Sequence, residues 1–221
     1  MYYFSNPTPP MDTYSYFVGA NPPTSFNSYS VYPQIDPSAL LCPFSFVLGD
    51  VTIDRQTFIG PFVSIRADEG TPFSIGKESN LQDGVIVHGL KDEHYTVAGN
   101  HYSVFIGDQV SCAHGSLIHG PVVIEDHTFI GFHAIVYQAW VGKGVFISSG
   151  ATVTNGVRIK DNRFVPPNAS IDSQKKADAL STVPKSEAEF QEQVLRVNKE
   201  FPPSYSLYFG KKRCSCGVAC G

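Results

Sequence analysis

Aliphatic side chains recur along this chain at every sixth position. They run Ile35, Leu41, Val47, Ile53, Ile59, Ile65, then Ile75, Leu81, Val87, then Ile106, Cys112, Ile118, Ile124, Ile130, Val136, and finally Val141, Ile147, Val153, Ile159, Val165, Ile171. Spacing of this kind means that each six residues make one short strand and one corner. Three such units make a triangular coil, and the marked residues stack inside the prism. The pattern predicts an all-β parallel solenoid over residues 35–172, with Gly49, Gly60, Gly76, Gly107, Gly131 and Gly142 at corners where backbone freedom is needed.

Three interruptions break the count: Ile65 to Ile75 is ten residues, Val136 to Val141 is five, and Val87 to Ile106 is nineteen. The longest contains KDEHYTVAGNHYS and predicts a protruding loop, a common place for function on a regular scaffold.

The flanks differ in character. Residues 1–34 carry Asp12 as their one charge among tyrosines, prolines, serines and asparagines. With few aliphatic residues to build a core, this arm is expected to be mobile or laid over a neighbouring surface. After Ile171 the hexads stop. In residues 173–203, Ser186 with Glu189 reads as a capping box opening a helix. Phe190, Val194, Val197 and Phe201 then fall at helical spacing to lie against the prism, and Pro202 and Pro203 are expected to end the helix. Residues 204–221 form a tail containing Cys214, Cys216 and Cys220.

Composition narrows the function classes. A length of 221 residues suits one domain with tails. A net charge of -4 with 16% charged residues offers no basic surface for a phosphate backbone, so nucleic acid is not an expected partner. No apolar run approaches the roughly 20 residues that span a bilayer, and the amino terminus lacks the features of a signal peptide. A cytoplasmic or compartmented protein is therefore the expectation. The isolated Cys42 and Cys112 stand at apolar positions and are expected to pack as small hydrophobes.

The chemistry lies in the histidines. His88 directly follows core residue Val87, and His119 directly follows core residue Ile118. If the nineteen-residue gap is one hexad plus a loop, the two occupy the same side of adjacent coils. Strand spacing of about 4.8 Å then suits two imidazoles that chelate one ion. His114 follows Cys112 by two and sits on the preceding side. About 16 Å of extended chain and a corner separate it from His119, too far for a common ion. A third ligand would come from a neighbouring subunit, and a three-sided prism readily closes a three-fold ring, a homotrimer. His94, His101, His127 and His133 show no such relation.

The strings SIRADEG (64–70), NLQDGVIVHG (80–89) and CAHGSLIHGP (112–121) closely resemble γ-class carbonic anhydrases, including their carboxysomal scaffold relatives, over about residues 35–200. The resemblance implies a left-handed hand for the β-helix, a homotrimer, and Zn2+ held by His88, His114 and His119, with Fe2+ or Co2+ as alternatives. It implies reversible hydration of carbon dioxide to bicarbonate, in the cytoplasm or a carboxysome, with carboxysome proteins as a further class of partner. By position Gln82 matches an active-site glutamine, Glu69 a carboxylate of proton handling, and Asn198 an asparagine near the metal. Arg66 and Asp68 resemble an ion pair between subunits, to which Asp83 is a candidate addition. Lys91 departs from the pattern: many members carry a glutamate there as proton shuttle, and a lysine holding its proton at neutral pH is a poor relay. Asp92, Glu93 or His94 are the substitutes at hand. Cys214 and Cys220 enclose a short loop able to close as a disulfide, which would make activity redox-dependent. Two rival functions remain open at this point, a hexapeptide acyltransferase and an inactive assembly module.

Overall fold

The structure is a computed structural model and describes residues 15–209. Its body is a left-handed parallel β-helix with three faces, followed by a carboxyl-terminal helix. Register confirms the hexads coil by coil. On the first face Ile65, Val87, Ile118, Val136, Val153 and Ile171 stand in one ladder. On the second, Ile53, Ile75, Ile106, Ile124, Val141 and Ile159 do the same. The third holds Leu41, Ile59, Leu81, Cys112, Ile130, Ile147 and Val165. These residues fill the prism; Leu81, Val87, Ile106, Cys112 and Ile118 have no solvent exposure. Each apolar rung thus stacks on a neighbour of similar size, and removal of this surface from water is what holds the coils together.

All three interruptions of the count fall at the same corner, between the first and second faces. The extra residues after Val87 form an antiparallel hairpin, Tyr95–Val97 with Asn100–Tyr102. Its Tyr95 ring packs on Trp140 at 5.5 Å, and the Arg158 guanidinium lies 4.6 Å from the Trp140 ring centroid. This cation–π stack fixes the hairpin against the second face.

Five of the six corner glycines lack the positive φ expected of them. Of the six, Gly49 alone has a positive φ, 85°. At Gly76 an added Cβ would lie 2.5 Å from the Gly107 carbonyl carbon, and at Gly131 2.6 Å from that of Ser148. Close stacking of successive coils, rather than backbone freedom, selects glycine at these two positions. The left-handed corner positions are held instead by residues such as Gln56, Glu78, Gln109 and Asn162.

Residues 15–34 include a strand, Phe17–Gly19, that pairs in parallel with Phe46–Leu48 and stacks Phe17 on Phe46 at 4.7 Å. At the other end come helix α1 (Gln174–Asp178) and helix α2 (Lys185–Phe209). Two expectations for α2 fail. The helix begins at Lys185 behind Pro184, whose carbonyl accepts the Glu187 and Ala188 amides, and Glu189 pairs with Lys185 at 3.5 Å rather than closing a box with Ser186. It also continues through Pro202 and Pro203. Packing outweighs the missing amides: Phe201 and Tyr205, on either side of the prolines, stack at 5.0 Å and both meet Phe58 of the third face.

Candidate metal centre

His88 and His119 are Cα partners in parallel strands, as the coil count requires. Their rings meet edge to face, with His88 Nδ1 and His119 Nε2 3.3 Å apart. The remaining nitrogen of each faces an oxygen acceptor. His88 Nε2 lies 3.1 Å from Asp68 Oδ1, and His119 Nδ1 lies 3.1 Å from the Gly120 carbonyl oxygen. An oxygen acceptor takes an N–H of the imidazole beside it, so when both rings are neutral each turns a lone pair into the same gap. Two facing lone pairs repel unless a cation lies between them. Donors about 2.0–2.1 Å from a tetrahedral ion stand about 3.3 Å apart, so the gap has the bite of a zinc chelate. The Asp68–His88 contact is also the carboxylate partner that commonly orients a metal-bound histidine.

Asp68 and Glu69 owe their position to the corner where the hexad count is broken. Asp68 Oδ2 is 3.6 Å from Arg66 Nη1 within the same chain, while its other oxygen serves His88. Glu69 Oε1 lies 3.7 Å from His88 Nε2, and its Oε2 accepts the Lys91 backbone amide at 2.7 Å. The side chain of Lys91 turns away to Asp92.

His114 stands elsewhere, on the third-face side. Its Nδ1 is 2.8 Å from Asp83 Oδ2, its ring stacks on Phe132 at 5.7 Å, and about half of its side chain is exposed. The same logic leaves Nε2 as an outward acceptor. Asp83 is thus a partner of His114 within the chain. His114 lines a cleft of about 540 Å³ under α2 together with Gln82, Asp83, Phe132, Val197 and Asn198. Gln82 is buried and donates through Nε2 to Asn80 Oδ1 at 3.0 Å; Asn80 in turn donates to Ser111 Oγ at 2.8 Å. That chain fixes the amide and leaves Oε1 for the cleft. Asn198, also buried, donates to the Val194 carbonyl of its own helix at 3.0 Å.

One chain therefore carries two half-sites: His88, His119, Asp68 and Glu69 at a corner of the prism, and His114, Gln82 and Asn198 under the helix. Among the described residues, no three metal-ligating groups converge within a single chain. Tyr137 and Phe132 were missed from the sequence. Tyr137 is the coil partner of His119 and meets its ring at 5.3 Å. Each stands eighteen residues after a histidine, His119 or His114, so the hexad count itself carried the signal. Cys42 and Cys112 are buried as expected, and burial pushes both thiols up to about 12. Cys214, Cys216 and Cys220 lie outside the described residues.

No family model matches the chain. Among curated proteins, the carboxysome assembly protein CcmM of a Nostoc species is 40% identical over 187 residues, which are 84% of this chain and 34% of that protein. The carbonic anhydrase of Methanosarcina thermophila is 39% identical over 173 residues, 74% of this chain and 70% of the relative. The mitochondrial γ carbonic anhydrase 1 of Arabidopsis thaliana is 32% identical over 143 residues, 65% and 48% of the two chains. The chain spans about a third of the length of the carboxysome assembly protein it matches. Among solved structures, a hexapeptide transferase family protein from Anaplasma phagocytophilum superposes with a TM-score of 0.64 at 20% identity, covering 79% of this chain and 93% of that one, which shows the shared fold.

Proposed function

The chain belongs to the γ-carbonic anhydrase family, and on that premise we propose that it is a homotrimer that binds Zn2+ between subunits and hydrates carbon dioxide reversibly to bicarbonate. The observation that carries the reading is the pair of imidazole nitrogens facing each other across 3.3 Å. His114 of a neighbouring copy completes the ligand set. The outward row just before the histidine positions supports such an interface: Ile86 and Ile135, partners of Leu117 in register, are 48% and 37% exposed in the isolated chain. Apolar side chains repeated on one solenoid face favour self-association. Fe2+ or Co2+ suits the same imidazole set.

Bound Zn2+ supplies an acidified water, with a pKa near 7, as the nucleophile toward carbon dioxide. This chain's residues do the rest. Asp68 holds His88 in one tautomer. Gln82 crosses the interface beside His114 and orients the reactants through the free oxygen of its amide. Glu69, with one oxygen toward His88 and the other held by the Lys91 amide, receives and passes the proton to solvent. Asn198 closes the cleft from α2.

A second reading, an assembly module without turnover, is favoured by one residue: Lys91 is a poor proton relay. Similarity to relatives named as carboxysome assembly proteins supports carboxysome proteins as the partner class and the carboxysome as the compartment in either reading. Zinc content with carbon dioxide hydration supports the enzyme; zinc content without hydration supports the module. Redox control through Cys214 and Cys220 is tested by hydration before and after thiol reduction, in the parent and in Cys214→Ser. Cys42 and Cys112 do not confound that assay, because both are buried.

A further inference from the structure

Residues 15–34 contribute the prism's end strand and, beyond it, a small loop built around two buried asparagines. Asn21, 1% exposed, donates to the Tyr29 carbonyl at 2.7 Å and accepts the Val31 amide at 2.9 Å. Ser30 Oγ donates back to the Asn21 carbonyl at 2.7 Å. At the loop's far end Thr24 and Asn27 close on each other, with the Asn27 amide donating to Thr24 Oγ1 at 2.9 Å. So many internal bonds make a rigid clasp out of a segment with almost no aliphatic residues. The Asn27 side chain is free of these bonds. It is 9% exposed, donates through Nδ2 to the Asp68 carbonyl at 3.1 Å, and packs against Gly70, where an added Cβ would meet it at 3.4 Å.

Asp68 is the residue whose carboxylate orients His88. It stands at the start of the corner insertion, past the strand Ser64–Ala67, where no coil partner fixes the backbone. We propose that Asn27 is a positioning residue for the metal centre: the amino-terminal clasp holds the Asp68 backbone so that its carboxylate stays on His88 Nε2. The clasp thereby sets the tautomer and direction of the first histidine ligand. The inference rests on the metal reading given above, but its structural part, the Asn27–Asp68–His88 relay, does not need metal.

The test uses the full chain with three variants. Asn27→Asp is close to isosteric and removes the donor, Asp68→Asn removes the carboxylate, and the double variant combines them. Asn27→Ser retains a shorter donor and serves if Asn27→Asp does not fold. Zn2+ affinity is measured by chelator competition, and the His88 tautomer by nitrogen NMR of the metal-free protein. Loss of the orienting carboxylate is expected to weaken zinc by about 10–100-fold. Loss of the Asn27 donor, one hydrogen bond further out, should weaken it by about 3–10-fold. In the double variant Asn27→Asp should add almost nothing to Asp68→Asn, since it acts through that residue. In metal-free protein, Asn27→Asp should turn the single His88 tautomer into a mixture. If Asp68→Asn weakens zinc while Asn27→Asp leaves both affinity and tautomer unchanged, the clasp plays no positioning part and the inference is overturned. Full additivity in the double variant overturns it equally. If no variant or parent binds zinc, the metal reading fails, and the tautomer alone decides whether Asn27 governs His88.

Discussion

The two half-sites of one chain are built by different means. His88 and His119 are held by the coil: parallel register puts Val87 on Ile118, and the next residue of each strand must then share a face. His114 and Gln82 are held by coil neighbours as well, His114 by Asp83 and Phe132 and Gln82 by Asn80. The cleft they line, however, is closed by Asn198 on a 25-residue helix packed over the third face through aromatic rings. The first arrangement is as rigid as the β-helix. The closure of the second is as secure as the docking of α2, whose exposed Val197 and half-buried Val194 show a partial fit. The repeat thus fixes all three histidines and Gln82, and the Asn198 wall of the cleft is adjustable through the helix.

Removing a donor from the coil should have the largest effect. His119→Ala is expected to leave Zn2+ unbound at micromolar concentration with the melting temperature of the metal-free protein little changed, because the ring is only half-buried; metal analysis of the purified protein together with thermal unfolding checks both. Gln82→Ala touches the other half-site. It should retain nearly full zinc and lower hydration by about 10–100-fold, the cost of losing one hydrogen bond to a charged group, as stopped-flow hydration would read. Retained activity at full metal would take Gln82 out of the mechanism.

Loosening the helix should act more gently. Phe201→Ala removes contacts to Phe58 and Tyr205; for a half-buried ring a loss of about 1–2 kcal/mol is expected, below the cost of a fully buried one. Hydrogen exchange should localise the loss to α2 and leave the coil protected. The smallest effect belongs to Glu78. Its carboxyl is held below its ordinary range by hydrogen bonds from Gln109 and then Lys199, the latter at 3.1 Å from α2. A depressed folded pKa means that the stabilisation is present above the unfolded value and lost as pH falls through the folded one. Exchange protection of the helix should therefore fall in acid, and Lys199→Ala should flatten that dependence while changing stability near neutral pH by under about 1 kcal/mol.

The same contrast explains what could be read in advance. A strict period is visible in any single sequence, so the aliphatic rungs, the His88–His119 pairing and the remoteness of His114 all followed from counting. Gly49 meets the expected need for positive φ, whereas Gly76 and Gly131 were found for the wrong reason, because a need for positive φ and a need for close stacking leave the same residue. The contact of Asp83 with His114 within the chain was not read, because side-chain pairing at a corner depends on which face each residue turns to, and local order does not encode that. Proline rules misplaced the end of α2, since the contacts of Phe201 and Tyr205 with Phe58 lie far apart in sequence. Asn27 left no signal at all: its partner is 41 positions away, outside any repeat.

The central claim is that the metal lies between subunits, with His88 and His119 from one copy and His114 from the next. Mixed trimers of His114→Ala and His88→Ala chains test it most directly, by zinc content and hydration after verified subunit exchange. Each parent variant alone should be empty and inactive. In mixed trimers, any junction where an intact His88–His119 pair from one chain meets an intact His114 from the other should regain a site, so a minority of zinc and activity should return. Verified mixed trimers that remain without zinc would contradict the account.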